Sequence, residues 1–463
     1  MLWAWIALLG LALPSAPALA VPVASADESS GAWLDKLFDG KPVAGSADLA
    51  SASGAQAPAP VRRAAVPQDD GVLLDDLSQR SFRYFWDTAD PKTGLFPDRA
   101  PADCSRPKGQ VVASVAASGF GLTGYCLAAE RGWVPRKEAL ERTRRALRFL
   151  AKDSPQKNGW FYHFVDAADG SRQWGSEVSS IDTALLLGGV LTARQYFADD
   201  PELASLASAI HDRVDFPWML DKKSNQFSHG WTPENGFLKY TWDTYSEESL
   251  LLLLAMGSKT HPVDASVWDA IARPEVSYSS HDYVSGAAPP FIHQYSQAWV
   301  DFRGMKDRHG IDYFDNSVEA MRAHRQFCMD LSKEFPTYGP DLWGISASDS
   351  QHGYLAWGGP PRSGPIDGTV VPYVAGGALM FTPDIAVPAL RAMRVKSADA
   401  AYGCHGFADA FNPGNGWVDK DVLGIDAGIT LLGAQNLRDG GVWKWFMRNS
   451  EIRAGLTKAG FQR

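Results

Sequence analysis

The apolar positions of this chain repeat mainly at helical spacing. Leu74, Leu77, Tyr84 and Phe85 fall on one stripe and predict a helix with one buried face over Val72 to Asp87. Pro135 opens a second amphipathic helix, with Leu140, Thr143, Leu147 and Leu150 on one side. Arg142, Arg144, Arg145 and Arg148 occupy the rest of its surface and read as a solvated outer face. Two segments differ from these. Ile181 to Phe197 and Ser249 to Met256 are apolar nearly all round, the second with five consecutive leucines. A helix without a polar side is buried on every side. Amphipathic helices alternating with fully apolar ones imply an outer ring of helices wrapped around an inner ring. Strand-like alternation is scarce, and the long Gly/Trp/Pro-rich connections would form the rim of a cavity.

The ends of the pattern set the domain plan. Met1 to Leu13 is an apolar run, and Ala18-Leu19-Ala20 offers small residues for cleavage after Ala20, so residues 1–20 read as a signal peptide. The run is too short to serve as a spanning helix, and the site near it lacks the Cys of a lipid anchor. Export to the periplasm or medium, with no stable membrane anchor, is the expectation. Residues 21–70 are rich in Ala, Ser, Pro and Gly without an apolar period and read as a flexible leader. Residues 71–463 then form one large catalytic domain, expected to be monomeric.

Composition narrows the partners. A net charge of -9 argues against nucleic acid and against anionic polymers, which leaves neutral substrates. The 17 Trp, 14 Tyr and 22 Phe suit stacking on sugar faces, although the same rings also fill the core of a large helical domain. The four cysteines, Cys104, Cys126, Cys328 and Cys404, match no zinc spacing. Cys104 and Cys126 are the pair close in sequence, and so the first candidates for a disulfide. The His residues do not pair at metal-ligand spacing, so no metal and no cofactor is expected; His352 and His405 lie in loops where they could bond sugar hydroxyls.

The candidate chemistry is carboxylates at the starts of buried helices. Trp174-Gly175-Ser176-Glu177 leads through Asp182 into one apolar helix; Trp242-Asp243-Thr244-Tyr245-Ser246-Glu247-Glu248 leads into the five-leucine helix; Gly424-Ile425-Asp426-Ala427-Gly428 opens a third. If all three belong to one inner ring, Glu177, Asp182, Glu247, Glu248 and Asp426 line a common mouth. Glycoside hydrolysis needs such a pair, one carboxyl to protonate the leaving oxygen and one to activate water or attack carbon. Acidic residues are also favoured in first helical turns as caps and dipole partners, and any one of them alone could be structural. A dipole lowers a carboxylate pKa, so a general acid there needs desolvation or a second carboxylate beside it, which Glu247-Glu248 supplies.

The segments SFRYFWD (81–87), SGFGLTGYCLAAERGW (118–133), GGVLTARQYF (188–197), DLWGISASD (341–349), GFADAFNP (406–413), GIDAG (424–428) and VWKWFM (442–447) resemble the glycoamylase-type domain. That group includes the endo-β-1,2-glucanases of glycoside hydrolase family 144 and the transglycosylating domain of cyclic β-1,2-glucan synthases. The resemblance runs over residues 71–463 and implies an all-α (α/α)6 toroid with a carboxylate-lined cleft and no cofactor. It implies Glu248 as general acid, from the Tyr-x-Glu start of a buried helix, and Asp426 as base, from an Ile-Asp-Gln-Gly segment whose Gln is Ala427 here. The family's Glu-Thr-Ala is Asp182-Thr183-Ala184, and its Glu-Asn-Tyr-Arg is Gln435-Asn436-Leu437-Arg438. Asp182 and Glu177 would bind hydroxyls or form an alternative pair, Glu247 and Tyr245 would contact substrate, and Trp174, Trp242, Trp343 and Trp357 would be stacking platforms. The activity implied is inverting endo-hydrolysis of β-1,2-glucan. The alternatives are a retaining transglycosylase using Glu177 and Glu248, a polysaccharide lyase, which the acidic charge disfavours, and a glucan-binding protein without catalysis.

Overall fold

The computed structural model describes residues 70–463 apart from 108 and 398. The expected signal peptide and all but the last residue of the leader lie outside the described residues. The first helix, α1 (Asp70–Thr88), buries Leu73, Leu77, Phe82, Tyr84 and Phe85, one residue or two longer at each end than the periodicity predicts.

The remaining helices sort by how much of their circumference is apolar. In α2 (Val115–Glu130) every residue from Val115 to Ala128 is buried, and in α4 (Ser180–Tyr196) all but Ile181 are buried from Ser180 to Ala193. The five-leucine helix, α6 (Ser249–Gly257), is buried along its whole length. With the 3-10 turns Pro290–His293 and Ser296–Ala298, and with α8 (Pro372–Ala378) and α10 (Gly424–Asp439), these segments form the inner ring. Each touches the next, α2 to α4 to α6 to the 3-10 segment to α8 to α10, and α10 returns to α2, so the ring closes. Outside it lie α1, α3 (Arg136–Lys152), α5 (Pro201–Asp212), α7 (Tyr313–Asp330), α9 (Pro383–Ser397) and α11 (Ser450–Lys458), the last packed on α6. Arg391 of α9 pairs with Asp70 of α1 and joins the two ends of the outer ring.

The outer helices carry the striped pattern. α3 buries Ala139, Thr143, Ala146, Leu147 and Leu150. Its arginine side does more than face solvent: Arg148 bonds Glu202 of α5 at 2.6 Å, Arg144 pairs with Asp200, and Arg142 lies 3.5 Å over the Trp86 ring.

Short antiparallel strands stitch the rim where inner helices begin. Strand β1 (Arg99–Pro101) pairs with β6 (Asp421–Leu423), which runs into α10. Strand β2 (Val112–Ser114) pairs with β3 (Phe164–Asp166) and runs into α2; β4 (Val178–Ser179) pairs with β5 (Gly230–Thr232) and runs into α4. Ser114 and Ser179 cap α2 and α4 through their side chains. The expected proximity of Cys104 and Cys126 is not met. Cys104 is disulfide-bonded to Cys404, 300 residues away, whereas Cys126 points into the core from α2. The β1–β6 pairing brings the loops after β1 and before β6 together, and chain distance does not register that. No described helix is long and apolar enough to cross a membrane.

Candidate active site

The cap that starts α4 holds the first carboxylates. Ser179 Oγ donates to Asp182 Oδ2 at 2.6 Å and accepts from the Asp182 backbone N–H at 3.2 Å. His163, at the end of the turn before β3, lies between two acids: its Nδ1 is 3.0 Å from Glu177 Oε1 and its Nε2 3.4 Å from Asp182 Oδ1. Burial works against the imidazolium, yet Asp182 and Glu177 together raise its pKa to about 9. The two acids then diverge. Burial raises Asp182, whereas at Glu177 burial is outweighed by the charge and hydrogen bond of His163 together with a backbone hydrogen bond, and the pKa is lowered. Glu177 is therefore the ionised partner of a charged histidine, poorly suited to donate a proton.

The second group precedes α6 in a non-helical turn. Glu247 and Glu248 are 7% and 1% exposed, and their side chains part. Glu248 folds back so that its Oε2 accepts from Ser246 N at 2.7 Å, and it lies within electrostatic reach of Tyr245 and Arg273 on the wall side. Glu247 is bonded to Ser246 Oγ and faces Asp182 and Tyr295. Burial raises Glu247 to about 7 and Glu248 to about 8, with Glu247 adding repulsion at Glu248. Ser296 of the neighbouring 3-10 turn fixes this turn, donating to the Glu247 carbonyl at 2.5 Å and accepting from Leu250 N at 2.9 Å.

Asp426 stands in the first turn of α10 within reach of the same Tyr295. It meets a residue the sequence reading left unassigned, Asp409. The two carboxyls are in hydrogen-bonding contact, and burial first, then their mutual repulsion, holds Asp426 well above the ordinary range. One proton shared between them satisfies both. Asp409 Oδ2 also accepts from Asp349 N at 2.6 Å, and Asp349 is paired with Arg99 of β1 at 2.6 Å. His163, Asp349, Asp409 and Arg99 are thus site residues missed in sequence. Asp349 and Asp409 lie inside the quoted segments 341–349 and 406–413, and a carboxylate in such a segment was the signal available. Two of the four groups of ligand-type atoms among the described residues lie here, His163/Glu177/Asp182 and Asp349/Asp409/Asp419; His163 supplies a cation to the first and Arg99 to the second.

The expected stacking platforms are mostly core residues. Trp343 is fully buried and Trp357 and Trp242 are 1% and 3% exposed; Trp357 bonds Ser348 Oγ and Trp242 stacks on His229. Tyr245 packs against His293 and Tyr313. A buried ring offers no face to a sugar, so these four assignments are corrected to packing roles. Trp242 and Tyr245 lie beside the carboxylates in sequence because the helix start they lead into is itself buried. Trp174 differs: it is half-buried at the rim, with φ 54°, a conformation bulky side chains rarely adopt. Its ring lies 4.9 Å from Phe164, which stacks at 3.8 Å on His163. His352 is exposed in a loop, beside Gln351.

The glycoamylase family model matches residues 239–450. An endo-β-1,2-glucanase structure from Chitinophaga pinensis, in complex with sophorotriose and glucose, is 27% identical with a TM-score of 0.78, covering 86% of this chain and 99% of that one. The exo β-1,2-glucooligosaccharide sophorohydrolase of Parabacteroides distasonis is 24% identical over 85% of this chain, and this chain spans 58% of that relative's length. An endo-β-1,2-glucanase from Talaromyces funiculosus, at 13% identity and a TM-score of 0.61, covering 82% of this chain and 87% of that one, shares the fold. The fold is the (α/α)6 toroid, and the likeness to the glycoamylase-type domain read from the motifs holds along the described chain.

Proposed function

We propose that this chain, which carries a glycoamylase-type domain, is a glycoside hydrolase that cleaves β-1,2-glucan by inverting acid/base hydrolysis, with Glu247 as general acid and Asp426 as base. The observation that carries this reading is Glu247, a buried carboxyl held up to about 7, which shares with Asp426 electrostatic reach of Tyr295 on the inner ring. A general acid needs its proton near neutral pH, and burial supplies that. Asp426 starts a helix three positions further round the ring, past the 3-10 segment and α8. Inversion needs carboxyls about 6.5–9.5 Å apart with water between them, which is the separation this assignment requires of Glu247 and Asp426. A retaining pair of Glu177 and Glu248 is less supported, because Glu248 is turned back onto Ser246 N. Glu177, Asp182 and His163 would bind sugar hydroxyls, and Trp174 is the aromatic at the rim with a ring available for stacking. The similarity to proteins that act on β-1,2-glucan supports the linkage.

The Cys104–Cys404 disulfide supports an oxidising compartment, periplasmic or extracellular, in keeping with the signal-like first 20 residues. The test of the activity is product analysis after incubation with β-1,2-, β-1,3- and β-1,4-glucans. Short oligosaccharides are expected from the β-1,2 polymer alone. Cleavage of another linkage only would overturn the substrate, and binding without new reducing ends would overturn the activity.

A further inference from the structure

Against the Asp409–Asp426 pair, and bounded by Leu77 and Ser81 of the outer helix α1, lies a cavity of about 20 Å³. Its walls include Ser81, Tyr373, His405, Asp409, Asp426, Ala427 and Thr430. Three buried polar atoms of this group have no protein hydrogen-bond donor or acceptor assigned to them: His405 Nδ1, Asp409 Oδ1 and Asp426 Oδ2. A space this size holds one water, and a buried water needs two to four polar partners, which these atoms supply. The methyl of Ala427 leaves that space open.

His405 also lines a second cavity. On its other side is a pocket of about 790 Å³ on the outer wall, with Arg83, Trp86, Asp87, Arg106 and Arg142. The ring is 5% exposed, packs edge-on against Tyr84, and its Nε2 is 3.8 Å from Asp87 Oδ2. The His405 ring thus lies between the two cavities, with Nε2 on the Asp87 side and Nδ1 buried without a protein partner.

We propose that His405 and one water in the small cavity form a proton exit through the toroid wall, from Asp426 to the outer pocket at Asp87. The proposal rests on Asp426 being the base. In each turnover the hydrolytic water gives a proton to Asp426, and Glu247 gives one to the leaving oxygen. The cavity water takes the proton from the Asp409–Asp426 pair while passing one of its own to His405 Nδ1. The ring releases its Nε2 proton to the pocket, then turns about Cβ–Cγ so that the Nδ1 proton exchanges with pocket water and the Nε2–H tautomer returns, and Glu247 is reprotonated from solvent. Only O–H and N–H bonds change, and each water split delivers one proton outside. Burial first, then Arg83, lowers the His405 pKa against the pull of Asp87, which keeps the ring neutral and able to accept; Tyr84 and Tyr373 present no competing charge at neutral pH. His405 acts through Asp426 and touches no substrate.

The test compares His405→Gln, His405→Ala and Asp426→Asn in the full chain on β-1,2-glucan. Asp426→Asn is expected to lose at least about 100-fold in kcat. His405→Gln keeps the shape and hydrogen bonding, and should lower kcat about tenfold with KM unchanged. His405→Ala opens the wall, so added imidazole should enter from the outer pocket and restore kcat, while leaving wild-type and Asp426→Asn unaffected. Wild-type kcat and pH profile in both His405 variants, with Asp426→Asn inactive, would overturn the exit and leave the base assignment standing. Loss of activity in His405→Ala that imidazole does not restore, with a matching loss in Tm, would mark His405 as structural. An active Asp426→Asn would remove the base, and the exit with it.

Discussion

At the scale of single residues, Glu247 and Glu248 are separated by side-chain direction rather than by chemistry. Both are buried and both are raised in pKa, but Glu247 faces Asp182 and Tyr295, and Glu248 is held by Ser246 N. Glu247→Gln is therefore expected to cost about 10²–10⁴-fold in kcat with binding retained, since Gln keeps volume and reach without a proton to give. Glu248→Gln should stay active, because an amide can replace the carboxyl on the wall; the reverse outcome would restore Glu248 as the acid. The sign of the pH dependence follows. A group raised to about 7 is protonated below that pH, so kcat should hold as pH falls from 7 and drop as pH rises through it. A pH–kcat profile checks this, and in Glu247→Gln the alkaline limb should vanish. The motif register favours Glu248 because neighbouring residues on a helix diverge by about 100°. Here Glu248 is the N-cap of α6 and its carboxyl folds back onto Ser246 N, a local contact that decides which side chain turns inward and that motif register does not contain. Trp242, Trp343 and Trp357 were illegible for a related reason: the composition of a sugar platform and of a packed core is the same.

Among whole elements, the inner ring was readable because all-round apolarity has one physical outcome in water-soluble helical layers, and α2, α4 and α6 obey it. What periodicity does not contain is how closely two such helices approach. A Cβ built on Gly119 of α2 would lie 2.1 Å from the Leu185 carbonyl oxygen, and one on Gly189 of α4 would lie 2.0 Å from the Gly119 carbonyl oxygen. These are backbone atoms that cannot move aside, so the pair sets the spacing between the helices that carry Ser114 and Asp182 at their mouths. Gly189→Ala should destabilise the fold by about 1–3 kcal/mol through overpacking. Its gain in helix propensity, at most about 1 kcal/mol, opposes this without cancelling it. A Tm equal to or above wild type in calorimetry would show that α4 can shift away from α2 without cost. The same limit explains the arginines of α3: a stripe analysis reports which side is polar, and the partners Asp200 and Glu202 belong to another helix.

For the molecule as a whole, the toroid depends on joining a beginning to an end. α10 closes on α2, Arg391 reaches Asp70, β1 pairs with β6, and Cys104 is bonded to Cys404. These long-range joins are the part least legible from local pattern, since each ties segments hundreds of residues apart. They also converge near the site: Arg99 and Asp421 belong to the β1–β6 ladder, and His405 follows Cys404 directly. Cross-linking residues 300 apart restricts the unfolded chain strongly, and loop-closure entropy alone sets an upper bound on the order of 5 kcal/mol. Cys404→Ser should therefore lower Tm in calorimetry, and a reductant should lower the wild-type Tm toward the same value while leaving the variant unchanged. Cys126 and Cys328 are buried and sit in α2 and α7, away from this bond, so they offer no alternative partner in the folded state. Because the bond lies outside the carboxylate cavity, β-1,2-glucan turnover at temperatures well below the Tm should survive its loss. A variant that keeps its Tm would show that the β1–β6 ladder and the helix ring hold the closure unaided. A variant that keeps its Tm but loses turnover would instead show that the disulfide positions Arg99 or His405 for the reaction.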